Sequence, residues 1–292
     1  MSSVLASVHP GNWSSNPAPL LFLGPIVYFY VKRWRAVHAH PFRLVLFSIG
    51  ILAACAAFFS PIDTLGDRQL SMHMIQHLLL LDIAPVFCIL GLTKQIFRPA
   101  TKRIIRIEKH SPWIMNPRLG LGIYVIGMWF WHMPWMYDAA VRNSWVHVGE
   151  HLTFTVAGGL YWWHLISPVR DKRQLSGMGA VMYMATTKVT IGILGLALTF
   201  IPRPIYPVYE NQPNIFHLSS SEDQGLAGVI MATEQSIVMG LALVFLVTQA
   251  IERSEQEQRR KEFIEDRAAA KAAELAAASA GPTPGAGLRE LY

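Results

Sequence analysis

Seven apolar stretches constrain this chain more than any other feature. Each is near the roughly 20 residues that a helix rising about 1.5 Å per residue needs to cross about 30 Å of hydrocarbon. They run at about 18 to 31, 43 to 60, 72 to 92, 119 to 136, 146 to 166, 178 to 200 and 225 to 250. A soluble protein of 292 residues could not hide them in one core, because 52% of its residues are hydrophobic, only 15% are charged and the mean hydropathy is +0.31. The fold class read from this pattern is all-α: a polytopic membrane helix bundle with seven transmembrane helices, occupying residues 18–250.

The connections between the stretches set the orientation. Three of them carry Lys32, Arg33, Arg35 and Arg43, then Lys94, Arg98, Lys102, Arg103, Arg106, Lys109 and Arg118, then Arg170, Lys172 and Arg173. The alternate connections hold only Arg68, Arg142 and Arg203. The positive-inside rule therefore predicts the amino terminus outside and the carboxyl terminus in the cytoplasm. The opening "MSSVLASVHPGNWSS" has no basic residue, so it lacks the charged start of a cleaved signal peptide, and the first span is expected to be retained. A pI of about 9.4 would suggest nucleic acid for a soluble domain. Here the basic charge is spread over cytoplasmic loops, and anionic lipid headgroups are the expected partner, with no nucleic acid.

Residues 1–17 read as an extracytoplasmic segment. After Ala250 the sequence "IERSEQEQRRKEFIEDRAAAKAAELAAASA" mixes charges with alanine, which favours a helix continuing from the last span into the cytoplasm, and "GPTPGAG" ends it. Residues 251–292 are thus a charged helical tail with a disordered end. Cys55 and Cys88 fall at depths differing by roughly 16 Å at the helical rise, too far apart for a disulfide, and read as buried apolar side chains.

In this orientation the polar residues sort into two levels. His73 and His77 in "SMHMIQH", His132 and Asp138 in "WFWHMPWMYD", and His147, Glu150 and His151 in "SWVHVGEH" all lie at the outer ends of spans three, four and five. Residues four apart on a helix share a face, so His73 with His77 and His147 with His151 are two ready pairs of imidazole ligands. Met72, Met74, Met133 and Met136 flank the same level, and Met74 and Met133 add thioether sulfur, a soft ligand that favours Cu(I). These histidines point to metal or haem. The competing reading is an interfacial belt, to which Trp129, Trp131, Trp135 and Trp145 belong by composition. His9, His38, His40, His110 and His164 read as interfacial or solvated.

Deeper lie Asp82, Lys188 and Glu234, each about ten residues into its span. An ionised side chain near the midplane costs at least about 2.5 to 3.5 kcal/mol unless paired, so Lys188 is expected to pair with Asp82 or Glu234, as a clamp between helices or a proton or ion relay.

Several separated motifs carry a resemblance: "SPIDTLGDRQLSMHMIQHLLL" leading into "APVFCILG", "WHMPWMYDAAV" followed by "VHVGEHLTF" and "YWW", and "EDQGLAGVIM" before the last span. Over roughly residues 20 to 250 the chain resembles the CtaG-type cytochrome c oxidase assembly factors, multi-spanning proteins of bacterial membranes. The resemblance implies a role in building a haem-copper oxidase, with copper bound at the extracytoplasmic face of the inner membrane and passed to the oxidase metal centre. Oxidase subunits, and a periplasmic copper chaperone as donor, are the implied partners. Carried onto this sequence, the implied site residues are His73, His77, His132, His147, Glu150, His151, Asp223 and Gln224. Asp82 departs from the apolar residue expected there.

"HVGEH", residues 147 to 151, also fits the H-x-x-E-H signature of a metallopeptidase, whose third ligand would be a distant glutamate such as Glu210, Glu222 or Glu234. A second histidine pair beside it is of no use to such an enzyme. Glu150 reads instead as an acceptor that fixes an imidazole tautomer or as an added oxygen ligand. The reading is binding and exchange of copper, not catalysis. The rival from another class is haem held by axial histidines, His77 with His151 or His132, in an electron carrier or scaffold, and the midplane charges leave a transporter as a third.

Overall fold

The computed structural model describes residues 13–14, 17–111, 113, 116–168, 175, 177–210, 212 and 214–279. His9, the loop residues Arg170, Lys172 and Arg173, and the closing "GPTPGAG" lie outside the described residues, as does most of the amino-terminal segment. Among the described residues there is no strand. The long helices are α1 (Leu20–Ala36), α2 (Pro41–Phe59), α6 (Lys94–His110), α7 (Pro117–Trp131), α9 (Ser144–Ile166), α10 (Met178–Phe200) and α11 (Ser220–Ser279). Shorter ones are α3 (Pro61–Gly66), α4 (Leu70–Leu78), α5 (Ala84–Gly91) and α8 (Pro134–Arg142).

Four helices combine the length and hydropathy of a membrane span: Pro41–Phe59, Leu70–Gly91, Met178–Phe200 and Ser220–Ala276. Of the remaining three expected spans, α1 has 17 residues and α7 has 15, short of the roughly 20 that cross a bilayer upright. The third, α9, has 23 residues but carries Glu150 and three histidines.

Local chemistry explains where helices begin. Ser60, Asn116 and Asn143 accept backbone N–H bonds from Ile62, Arg118 and Trp145 at 3.2, 3.0 and 2.9 Å, each capping the helix that follows. Proline opens α2, α3, α7 and α8, where its missing N–H has no helical acceptor to lose. At the head of α11, Ser219 and Glu222 exchange bonds (Ser219 N to Glu222 Oε2 2.8 Å, Glu222 N to Ser219 Oγ 3.3 Å), a reciprocal capping box.

Between α4 and α5 the third span is not a regular helix. Leu79–Ile83 forms a π-turn, and two residues later Pro85 lacks the N–H that would have bonded the Leu81 carbonyl. That carbonyl lies against Gly158 of α9, so closely that a Cβ on residue 158 would overlap it. α2 approaches α5 in the same way, with Gly50 against Cys88 and Gly91 against Phe47. Tyr30 stacks on Phe47 at 3.6 Å between centroids and donates from its hydroxyl to Gly91 O at 3.0 Å, fastening α1 to this pair. Cys55 and Cys88 are both free thiols.

The chain divides into two compact units, Met1–Leu243 and Val244–Tyr292. The first holds the helices that build the site. In the second, the described part is helix through Ser279, and Gln258 donates to Glu262 one turn on at 3.1 Å.

Candidate metal centre

Two helix starts bring the histidines together. On α9 the Asn143 cap fixes the first turns, so His147, Glu150 and His151 stand on one face by their spacing of three and four. On α4 no side chain at position 69 caps the helix. Asp223 of α11, buried, reaches across instead: its Oδ2 accepts from Leu70 N at 2.7 Å and Ser71 N at 3.5 Å, and its Oδ1 from Ser71 Oγ at 2.5 Å. A carboxylate on those orphan amides also suits the positive end of the helix.

The two faces meet. The ring centroids of His73 lie 4.2 Å from His77, 5.4 Å from His147 and 6.1 Å from His151, and those of His147 and His151 lie 4.1 Å apart. Glu150 sits between the pairs, its Oε2 3.5 Å from His73 Nε2 and its Oε1 3.5 Å from His77 Nε2. Donor atoms of His73, His147, Glu150 and His151 all fall within 4.8 Å of one another, the compass of a single ion. Contacts of 3.5 Å are too long for charge-assisted hydrogen bonds. Both oxygens of Glu150, both nitrogens of His73 and His77, and Nε2 of His147 and His151 are buried with no hydrogen-bond partner. Buried polar atoms normally find partners, and a cation held by one nitrogen of each of His73, His147 and His151 and by the Glu150 carboxylate would give each of these side chains one, so the residues fit a metal. Among the described residues no glutamate from elsewhere completes "HVGEH"; the group facing His147 and His151 is His73 on another helix.

The remaining sequence candidates divide. His132 ends α7 with its ring 6.1 Å from His77, and its Nε2 lies 3.4 Å from Met74 Sδ. Met133 does not join them: it is 42% exposed, because the chain turns there into α8. Asp138 faces Arg142 one turn on at 3.7 Å, a half-exposed pair rather than a ligand. Gln224 clasps the loop after α10, accepting from Ile205 N at 2.7 Å and donating to Ile201 O and Arg203 O at 3.2 Å each. Trp131, expected in an interfacial belt, is buried, and so is His164, expected at the interface, whereas His38, His40 and His110 are exposed as expected.

In the deeper layer the expected pairing of Lys188 does not form. Lys188 Nζ donates to Ala232 O at 3.2 Å and Ser236 Oγ at 2.5 Å. Asp82 takes other donors, Trp162 Nε1 at 2.8 Å and the Tyr124 hydroxyl at 3.0 Å. Aromatic donors on α7 and α9 satisfy the buried carboxyl and leave no need for the ammonium.

Sequence reasoning missed the tyrosines over the cluster. Tyr206 donates to His132 O at 3.0 Å, Tyr209 donates to Gly66 O at 2.8 Å, and Tyr137 bonds Tyr209 at 3.0 Å while its ring lies 5.0 Å from His73. Burial pushes the hydroxyls of Tyr206 and Tyr209 well above the usual range, so both remain donors at any ordinary pH. Their signal in the sequence was "RPIYPVYE", two tyrosines in a connection at the histidine level.

A membrane helix bundle with a buried cluster of imidazoles and one carboxylate is the class that fold and site define. Within it, residues 26–253 match the family described as cytochrome c oxidase caa3 assembly factor, Caa3_CtaG, and the chain belongs to that family. It is similar to uncharacterised proteins of Mycobacterium bovis and Mycobacterium tuberculosis, 24% identical over 222 residues in each case, covering 71% of this chain and 34% of theirs. A Mycobacterium leprae protein, also uncharacterised, is 22% identical over 236 residues, 75% of this chain and 36% of its own. The chain thus spans about a third of the length of the curated relatives it matches. No solved structure matches it.

Proposed function

We propose that this chain is a seven-helix protein of the bacterial cytoplasmic membrane, amino terminus outside, that binds copper as cargo at the His73–His77–His147–Glu150–His151 cluster and passes it to a subunit of a haem-copper oxidase under assembly. The observation that carries the reading is the convergence of four imidazoles and a carboxylate, each with a buried donor atom that has no hydrogen-bond partner. Membership of an oxidase assembly family supplies the recipient, and copper is the metal that such an oxidase needs. The basic loops between spans support the orientation, which turns the cluster toward the side where a periplasmic copper chaperone would act as donor. The chain's part is ligand exchange, which calls for no catalytic group.

Haem is the less favoured ligand. The cavity beside His77 and His132 measures about 20 Å³. That is room for one water, against the roughly 300 Å³ or more of pockets that take organic ligands.

Copper and haem analysis of protein purified from its own membrane tests the reading. Copper without a Soret band, with less copper per chain in a His147→Ala/His151→Ala variant that still folds, is the expected result. Equal copper content in both proteins would overturn it.

A further inference from the structure

Beside the first cluster lies a second group of donor atoms. His132 Nδ1 is 2.8 Å from Met128 O, and a carbonyl can only accept, so Nδ1 carries the proton. In a neutral imidazole the other nitrogen then holds a lone pair. That nitrogen, Nε2, lies 3.4 Å from the thioether of Met74, which is itself an acceptor and has no proton to give. Two lone pairs thus face each other with both residues buried. The arrangement is unfavourable as it stands and becomes favourable once a soft cation sits between them. His77 lines the same cavity of about 20 Å³ as Met74 and His132, and both of its ring nitrogens lack hydrogen-bond partners. The Tyr206 hydroxyl on His132 O and the Nδ1 bond to Met128 hold the His132 ring in this direction.

We infer that Met74 Sδ, His132 Nε2 and His77 form a second, sulfur-containing site for Cu(I), inside the bundle and separate from the His73–His147–Glu150–His151 centre, with His77 standing between the two. The inference deepens the copper reading and rests on it. One thioether with two imidazoles is a soft, low-coordinate donor set, which selects Cu(I) over Zn(II), whereas the outer set with its carboxylate accepts either. Copper delivered to the outer centre as Cu(I) then has a second position reached by exchange of ligands at His77, with no change of oxidation state.

The test is anaerobic titration of the full-length protein with Cu(I), together with X-ray absorption at the copper edge. The wild type is expected to take up two equivalents and to show sulfur in the copper coordination. Met74→Leu, which conserves volume and packing, is expected to take up one equivalent and to lose the sulfur signal. His132→Gln behaves likewise, and His147→Ala/His151→Ala keeps one equivalent with sulfur. A wild-type spectrum free of sulfur, or uptake unchanged by Met74→Leu, overturns the second site. If the single remaining copper is then lost in His147→Ala/His151→Ala, the outer centre still stands. No copper uptake by the wild type overturns both. Should Met74→Leu fail to fold, His132→Gln decides: uptake of one equivalent supports the second site, and uptake equal to wild type overturns it.

Discussion

Glu150 is the residue on which the outer centre turns. It is fully buried, it stands between His73 and His77, and both its oxygens lack partners. Glu150→Gln keeps shape and removes the charge that attracts a cation, so copper affinity is expected to fall by about 10- to 100-fold if Glu150 orients the imidazoles, and by more if it ligates directly, as read by competition with a copper chelator. Asp223 acts on the same site from a distance. Its charge-assisted bonds to Leu70 N and Ser71 hold the start of α4, and with it His73. Asp223→Ala is expected to destabilise the protein by about 1.5 to 3 kcal/mol and to lower copper binding with it, measured by denaturant unfolding in detergent. A variant as stable as wild type would show that α4 needs no such cap.

At the scale of elements, the π-turn at Leu79–Ile83 is itself the seam between the Leu70–Gly91 span and α9. Pro85 leaves the Leu81 carbonyl without its helical donor, and Gly158 is the only residue type that lets α9 approach that carbonyl so closely. Gly158→Ala forces the two helices apart at the level below the histidines. It is expected to cost about 1 to 3 kcal/mol and to weaken copper binding, seen as earlier thermal aggregation and lower copper content. Gly159→Ala is the control, since no neighbour stands within 4 Å of a Cβ there, and it is expected to leave both unchanged.

For the whole molecule, the charge pattern makes a topological prediction: a tag after Tyr292 is expected to be accessible from the cytoplasm, and a probe near residue 143 from outside. Tags accessible from one side only would sink the seven-span reading. The tail after Ala250 lies within the second unit, Val244–Tyr292, which holds none of the site residues, and its removal is expected to leave copper stoichiometry unchanged. Hydropathy alone determined the all-helical membrane class, and helical spacing determined that His73 shares a face with His77 and His147 with His151, because both follow from the geometry of a single helix. Family motifs pointed to Asp223 and Gln224 but not to their work, which crosses 153 residues of sequence from Asp223 to Leu70. Which helix faces meet, that Met133 turns outward while Met74 turns to His132, and that Asp82 takes Tyr124 and Trp162 in place of Lys188 were decided only by tertiary packing. Contacts between helices depend on side chains far apart in the chain competing for the same buried space, and no periodicity within one segment encodes the winner.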